Sequence, residues 1–490
     1  MTKLILFPHQ LYAPAAIKGY LKQLPDDVHE VVLVEEPAFF SDATHKANKA
    51  KCAFHRASMK SVASEWRSSG IDVTYMDYVE ASRKRSNTSS RVAKHVYIID
   101  PCDHALTAKY RDEYGDKLTV LPDSHGFLAS REVLEAFHAG LSSSKSKRVS
   151  FQTFMEFMKT ARGVMVGVPS TDAENRRKYS SDELPPGPPT YDTAAHSEAV
   201  EYVESTFPKG HWGASQSVFQ YPATRRQAHA HFEAFLRDRF DRFGPFQDAV
   251  RRESPVLFHA HISFLLNAGL LSPAHVLAKV EKLKTDEQNS AEAFVRQVLG
   301  WREYMRYVYL FHLESLHENA WGNDRTLVVD AWYGGKTGIV ALDSEIRKAE
   351  RTGYAHHIVR LMYFLNAMVL SGVHPSQIVK WFMEVVSIDA YPWVMWSNVA
   401  VMGGFTESKT FAHKPYVCSS SYVASLSDYP RDRVLDSLFY SALYHKKDYV
   451  MKHARSYARN LAYFERLPAE ERKEMLRVAD QFIRKTTTKL

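Results

Sequence analysis

Cysteine is scarce in this sequence. Its 490 residues contain only Cys52, Cys102 and Cys418, and no two of them stand at a C-x-x-C spacing. This excludes a disulfide scaffold, a four-cysteine zinc site and a four-cysteine iron–sulfur cluster. The pairs His229-Ala-His231 and His259-Ala-His261 have no cysteine or acidic cluster beside them, so we predict no metal site.

Long apolar runs are also missing. The longest apolar stretch, at 361–370, is interrupted by Asn366 and is far shorter than the ~18 residues that a membrane span needs. The apolar run at the N-terminus is too short for the core of a secretory signal. We therefore expect a cytoplasmic, intracellular protein that is not secreted and does not bind a membrane.

Two glycine signatures of nucleotide binding are absent. No G-x-G-x-x-G follows the first predicted strand, which excludes the dinucleotide fingerprint. The string Gly335-Lys336-Thr337 resembles the end of a phosphate-binding loop, but Asp330 stands where that loop needs its first glycine. The sequence therefore gives no direct sign of a nucleotide site.

The first part of the chain has an α/β pattern. Short apolar or β-branched runs separated by polar connections predict strands at Leu4–Phe7, Val31–Val34, Val73–Tyr75, Val96–Ile99 and Leu118–Leu121. A long helix is predicted at about Ala43–Ser68. Such alternation is typical of a parallel, Rossmann-like sheet covered by helices. We assign this α/β domain to residues 1–135.

A connector is predicted at 136–214, and an all-helical domain at 215–490. The connector contains a Ser/Lys run at 141–148 and a Pro-rich run at 182–189, with a short helix at Phe151–Thr160 between them. Beyond it, the periodicity becomes helical. The predicted helices are Arg226–Phe243, Ala274–Lys284, Ser290–Leu310, Ser344–Leu370 and Ser376–Ser387.

The net charge of +7 and the aromatic residues are unevenly placed. Residues 444–490 hold twelve Lys or Arg against six Asp or Glu, so this segment is either a solvated helical surface or one that faces phosphates. Four of the eight tryptophans, at positions 332, 381, 393 and 396, lie within 65 residues. They form either an aromatic core or a path for electrons.

One helical segment carries unusual polar residues. In 354–364, His357 and Arg360 share a face with Leu361 and Phe364. A guanidinium on an apolar face needs a partner, and Asp389, at the end of the next helix, is the natural candidate. The pair is either a structural ion pair between helices or part of a cofactor pocket.

The second half of the chain resembles the cryptochrome/photolyase superfamily, and within it the bacterial (6-4) photolyases that carry an iron–sulfur cluster. Six strings carry the resemblance in family order, and with the α/β pattern it covers about residues 1–445. They are Asp172-Ala-Glu-Asn-Arg176, His259-Ala-His-Ile-Ser263 with Leu270-Leu271, Gly300-Trp-Arg-Glu-Tyr304, Ala355-His-His-Ile-Val-Arg-Leu-Met362, Asp389-Ala-Tyr-Pro-Trp393 and Lys414-Pro-Tyr416.

The resemblance implies an all-helical domain that binds FAD, and light-driven repair of UV-damaged DNA by a monomer. His357 corresponds to the histidine that donates a proton to the lesion. The remaining implied residues are His259, Ser263, Arg360, Asp389 and Met395 at the flavin, Gln297, Tyr416 and Tyr422 at the lesion, and Trp381, Trp332, Tyr333 and Trp393 in electron transfer.

The chain also departs from these relatives. Ala341 occupies the first cluster-cysteine position, and the region Pro430–Leu438 carries no cysteine, which indicates a branch without the cluster. Phe382 follows Trp381 where relatives can have tyrosine. Met395 replaces a polar or acidic residue near flavin N5, and a thioether cannot donate a proton.

The site of the second, antenna chromophore departs as well. His9, Phe39 and Asp42 differ from the residues that hold a ribolumazine, although Gln10 fits. We therefore do not assign that chromophore. The leading hypothesis is an FAD-dependent (6-4) photolyase. A cryptochrome-type blue-light receptor without repair activity and a cyclobutane-dimer photolyase are the alternatives.

The cysteine count generates a first prediction. The purified protein should show a flavin spectrum without broad iron–sulfur absorbance, because three dispersed cysteines cannot supply four cluster ligands. Elemental analysis is the measurement, and we expect no iron. Iron in a stoichiometric amount would contradict the prediction.

Overall fold

The structure is a computed structural model that describes residues 2–25, 28–84, 94–142, 149–164, 170–283, 288–408, 411–412 and 414–490. Most of the predicted Ser/Lys run, residues 143–148, lies outside these ranges. Within them, no helix is both long and apolar enough to cross a membrane. Most of the buried apolar side chains of the N-terminal and C-terminal parts belong to one continuous core, and Tyr179, Ala249, Leu257 and Phe258 form a small separate cluster.

Five parallel strands form the sheet at the N-terminal end, and all five predicted strands are confirmed. Their order in the sheet is β3-β2-β1-β4-β5, so the first strand lies at the centre. Leu4 on β1 pairs with Val31 on one side and Tyr97 on the other. The strands are β1 Thr2–Leu6, β2 Val28–Val34, β3 Val73–Met76, β4 His95–Ile99 and β5 Leu118–Leu121.

Helices cover this sheet, because each parallel connection must cross from one end of the sheet to the other. The long predicted helix begins at Lys49 rather than Ala43, since Asn48 caps it there. The helices are Pro14–Leu21, Lys49–Ser68, Tyr78–Lys84, His104–Tyr114 and Arg131–Ser142, with 3₁₀ turns at Pro37–Phe39 and Gly115–Lys117.

The segment predicted as a connector, 136–214, begins inside the helix Arg131–Ser142 and contains two further helices among its described residues. The predicted short helix extends over Phe151–Arg162, and Ser150 caps it by accepting a hydrogen bond from Thr153 N–H. A second helix, Ala194–Thr206, packs on the long helix Lys49–Ser68. A single 3₁₀ turn, Asp172–Glu174, lies between them.

The C-terminal part is mostly helical, as predicted, but two details differ. It contains a small antiparallel sheet, β6 Arg325–Leu327 with β7 Thr487–Lys489, so it is not purely helical. The predicted helix Ser344–Leu370 is interrupted at Gly353, whose φ of +73° ends the first helix at Thr352. Glycine adopts this left-handed backbone without the steric cost that a Cβ adds.

Two π-helical turns, Arg296–Arg302 and Val359–Leu365, interrupt longer helices in this part. The α-helices are Arg225–Asp238, Phe243–Phe246, Ser263–Ala268, Pro273–Glu281, Gln288–Val295, Glu303–Phe311, Leu313–Leu316, Val329–Trp332, Val340–Thr352, Asn366–Leu370, Pro375–Glu384, Pro392–Gly403, Ser420–Leu426, Arg433–His445, Lys447–His453, Ala458–Arg466 and Ala469–Thr486. The 3₁₀ turns are Ser215–Gln220, Phe240–Arg242 and Arg455–Tyr457.

Asn48 joins the two parts of the chain. Its side-chain oxygen accepts a hydrogen bond from Ala50 N–H at 2.9 Å and so caps the long helix. Its amide nitrogen donates to the carbonyl oxygens of Glu350 at 2.6 Å and Val385 at 3.3 Å. One fully buried side chain therefore serves a helix on the sheet, the helix Val340–Thr352 and the residue that follows helix Pro375–Glu384.

Substitution N48A tests this role. It should lower the free energy of unfolding by about 2–4 kcal/mol, because a helix cap is lost and buried carbonyl groups lose their donor. Urea denaturation is the measurement. The matched control is S150A, which removes the cap of helix Phe151–Arg162 and should cost about 1 kcal/mol. An equal loss in both variants would contradict the prediction.

Candidate functional site

A cavity of about 300 Å³ lies among the C-terminal helices. Its walls combine apolar side chains with a few charged or polar ones, the usual composition of a site for a small organic ligand. Eight residues predicted from the sequence line it, although they are spread over more than 130 positions of the chain. They are His259, Ser263, Gln297, His357, Arg360, Asp389, Trp393 and Met395.

The two π-helical turns shape this cavity. Arg296–Arg302 contributes Gln297 and Arg302, and Val359–Leu365 contributes Arg360. A π turn inserts an extra residue into a helix and occurs most often at functional sites. It also changes the helical period, so Phe364 does not line the cavity with His357 and Arg360; its ring packs on Trp381, 5.1 Å between centroids.

Arg360 and Asp389 form a buried ion pair at the cavity. The Arg360 Nη1 atom lies 2.8 Å from Asp389 Oδ1, and Nη2 donates to Oδ2 at 3.0 Å. Ser263 Oγ also donates to Oδ2, and Asn267 donates to the Asp389 backbone carbonyl. The sequence pattern predicts Asp389 at the end of a helix, and this is wrong. Asp389 lies five residues beyond the helix Pro375–Glu384.

Three histidines lie together on another part of the cavity wall. The rings of His259 and His356 are stacked, with centroids 4.0 Å apart. Burial lowers the pKa of His259 to about 4, and burial holds the pKa of His356 well below its usual range. Both rings are therefore neutral near pH 7. His357 differs from them because 38% of its side chain is exposed.

His357 is held by a carboxylate that the sequence does not reveal. Its Nε2 atom lies 3.1 Å from Asp248 Oδ1. The negative charge of Asp248 also reaches two of the predicted lesion residues. Burial and, after it, Asp248 raise the pKa of Tyr422 to about 12, and burial followed by Asp248 raises the pKa of Tyr416. The charge of Asp248 thus acts on His357, Tyr416 and Tyr422.

The three histidines also bring ring nitrogens within 4.8 Å of one another, which is a spacing suited to a metal ion. His259 is not available as a ligand in this arrangement. Its Nδ1 faces the carbonyl oxygen of Val256 and its Nε2 that of Gln247, each at 2.7 Å. Since a lone pair directed at a metal is needed from each ligand, we propose no metal site here.

The predicted electron-transfer residues fall into two groups. Trp381 and Trp332 are in ring contact, 6.4 Å between centroids, and Phe382 joins Trp381 to the cavity wall. Trp393 lies on the cavity wall against Phe127. Among the described residues, no ring contact connects Trp393 with Trp381 or Trp332. Trp396 lies apart, against His317.

Sequence reasoning missed several residues of the site. Asn398 and Arg302 line the cavity, and Asp248 holds His357. Arg302 stands inside the string Gly300-Trp-Arg-Glu-Tyr304, so that signal was present. Asp248 precedes a short irregular segment, and no spacing or motif distinguishes it from other acidic residues.

A second cavity of about 680 Å³ lies between the sheet and the C-terminal helices. Asp42, one of the residues compared above with a ribolumazine-binding site, lines this cavity. His9 packs against Phe39, 4.9 Å between ring centroids, and Gln10 donates to the carbonyl oxygen of Ile99. Burial lowers the pKa of His9 to about 4, so its ring is a neutral part of the core.

Comparisons with known proteins agree with this architecture. Residues 4–219 match the family model described as "Deoxyribodipyrimidine photo-lyase-related protein". Over 476 residues the chain is 30% identical to a (6-4) photolyase of Agrobacterium fabrum, with 91% of each chain covered.

Two solved structures are similar in fold. The cryptochrome of Synechocystis sp. has a TM-score of 0.57 at 15% identity, covering 97% of this chain and 93% of that one. A class III photolyase from Agrobacterium tumefaciens has a TM-score of 0.50 at 15% identity, covering 97% and 91%. At such identity these likenesses show the fold alone. The alignment with the Agrobacterium fabrum (6-4) photolyase covers nearly the whole of both chains. This chain therefore belongs to the photolyase–cryptochrome family.

Proposed function

We propose that the protein is an FAD-dependent (6-4) photolyase, which reverses UV-induced pyrimidine–pyrimidone (6-4) photoproducts in DNA with light. The observation that carries the proposal is the half-exposed His357, held by Asp248 beside a cavity that also contains the Arg360–Asp389 pair. The name of the Agrobacterium fabrum relative supports the same repair type.

The cavity residues fit a flavin. Leu361, Val394 and Met395 supply apolar wall, which suits a flat aromatic ring system. Two buried atoms of the wall, His356 Nδ1 and Arg302 Nε, have no hydrogen-bond partner among the described residues. Unpaired buried polar atoms are costly, so a ligand with polar ring edges is a natural occupant. Arg360, Asp389, Ser263 and His259 are the side chains proposed to hold it.

Repair places two demands on the protein. When bound and reduced, FAD supplies one electron to the lesion after light absorption and accepts one back. The damaged bases must leave the duplex stack to reach the cavity. Gln297, on the cavity wall, and the half-buried Tyr416 and exposed Tyr422 are proposed to receive them. The basic segment 444–490 is a candidate surface for the DNA backbone.

His357 is the proposed proton donor. It is the member of the histidine group that solvent, and therefore DNA, can reach. In the imidazolium form both ring nitrogens carry protons, so Nδ1 can donate outward while Nε2 remains bound to Asp248. Asp248 would fix the ring orientation and stabilise its positive charge, which is what an efficient general acid needs.

A blue-light receptor of the cryptochrome type is the second candidate. Met395 favours it, because this buried thioether lines the cavity where relatives place a polar or acidic side chain. A thioether cannot donate a proton, so Met395 would leave a bound flavin without a proton donor at this position. The two functions differ in whether light changes the DNA or only the protein.

The decisive measurement is repair in blue light of oligonucleotides that carry one (6-4) photoproduct or one cyclobutane dimer. Fully reduced protein should restore the (6-4) substrate and leave the dimer unchanged, because His357 is placed to supply the proton for that reaction. Repair of the dimer alone would assign the cyclobutane-dimer activity. Repair of neither would favour the photoreceptor.

Substitution H357A should lower the repair rate by about a hundredfold or more while the flavin content stays unchanged, since it removes a general acid and leaves the Arg360–Asp389 pair in place. D248N should lower turnover with little change in lesion affinity. The control is H317A, an exposed histidine at the second cavity. Loss of flavin from H357A would instead show that His357 is structural.

A further inference from the structure

Tyr416, one of the proposed lesion residues, lies in a segment without regular secondary structure. Residues 414–419 belong to no helix or strand and precede the helix Ser420–Leu426. Helical or sheet hydrogen bonds do not hold the backbone of such a segment, so its conformation depends on the other groups that bond to it. These groups therefore decide where the Tyr416 ring lies relative to His357.

One buried hydroxyl bonds to the backbone on both sides of Tyr416. Tyr457 ends the 3₁₀ turn Arg455–Tyr457. Its hydroxyl donates to the carbonyl oxygens of Pro415 and Val417, each at 2.7 Å. A tyrosine hydroxyl has a single proton, so these two acceptors share it. The Tyr457 side chain is buried, and a hydrogen bond is electrostatically stronger in such surroundings than in water.

The N–H ends of the same two peptide groups are bonded as well. In the first peptide group, the Tyr416 N–H donates to the carbonyl oxygen of Met402 at 2.7 Å. In the second, the Cys418 N–H donates to Asn366 Oδ1 at 3.0 Å. Each of these planar groups is thus held at both ends. This limits the backbone torsions between them, and with these the direction in which the Tyr416 side chain leaves the chain.

Asn366 also connects this segment with the cavity wall. Its side chain is completely buried, and its amide nitrogen donates to the carbonyl oxygen of Cys418 at 3.1 Å. Asn366 follows directly on the π-helical turn Val359–Leu365, which carries Arg360. The segment around Tyr416 is therefore held from the cavity side by Asn366 and from the C-terminal part by Tyr457.

The direction of the Tyr416 side chain matters because charged groups lie around it. Burial raises the pKa of Tyr416, the positive charges of Arg296 and Arg176 lower it, and the negative charge of Asp248 raises it again. Asp248 is the carboxylate that holds His357. A change in the backbone at Tyr416 would therefore change its place among the groups that surround the proposed proton donor.

We propose that Tyr457 is a positioning residue for lesion recognition, because its hydroxyl fixes the orientation of Tyr416 before DNA binds. The inference rests on the proposed function, since it requires a damaged dinucleotide beside His357. Tyr457 does not line the cavity, so it acts through Tyr416. A side chain fixed in advance loses less conformational entropy on binding. The hydroxyl therefore contributes to lesion affinity and not to the chemical step.

The first measurement uses the flavin-loaded protein without DNA. Substitution Y457F removes the hydroxyl and keeps the ring. Hydrogen exchange of the Tyr416 and Cys418 amides should become about tenfold faster, because their peptide groups lose the bond at the carbonyl end. The matched control is Y449F. Tyr449 is also a buried tyrosine of the C-terminal part, and it donates to the carbonyl oxygen of Gly404 at 2.6 Å. Y449F should leave both amides unchanged.

The second measurement is the affinity of the flavin-loaded protein, in the dark, for an oligonucleotide with one (6-4) photoproduct. Y457F should bind it about tenfold more weakly, while the repair rate at saturating substrate and the flavin content stay as in wild type. Y449F should bind as wild type does. In a Y416A background, Y457F should cause no further loss of affinity, because the side chain through which it acts is gone.

Unchanged amide exchange in Y457F would overturn the inference, and so would a full tenfold loss of affinity in the Y416A background. Equal effects of Y457F and Y449F would also overturn it, because they would indicate a general loss of stability. The failures of the two proposals are distinct. Wild-type protein that neither binds nor repairs the (6-4) oligonucleotide refutes the proposed function. Wild type that does both, with Y457F equal to it, refutes the positioning role alone.

Discussion

The ion pair between Arg360 and Asp389 is the interaction around which the site is built. Asp389 lies in an irregular segment that the long helix of the sheet contacts on its other side, where Lys51 Nζ donates to the carbonyl oxygen of Ala390 at 2.6 Å. Arg360 lies in the π-helical turn Val359–Leu365, and its Nε donates to the carbonyl oxygen of Ala355 at 2.6 Å, two residues before His357. Removing one partner of a buried pair costs about 3–5 kcal/mol, so the two halves of the site and the sheet are coupled through it.

The polar side chains of the cavity differ in how deeply they are buried, and their charge differs with it. Deep in the wall, His259 and His356 are kept neutral, and the ion pair supplies opposite charges in contact. Nearer to solvent, His357 is paired with Asp248. On another side, Phe382 joins the cavity wall to Trp381. In the proposed function, protons and electrons would therefore use separate parts of the wall.

The sequence by itself determined the five strands, because hydrophobic period and β-branched runs are local properties. It also indicated eight of the residues that line the cavity, six of them through strings that are recognisable in order. It could not determine the π-helical turns or Asp248. The turns depend on a backbone shift that propensity does not encode, and the contact of Asp248 with His357 joins residues 109 positions apart. Only the tertiary structure divided the tryptophans into a connected pair and isolated rings, because ring contact is a property of packing and not of spacing along the chain.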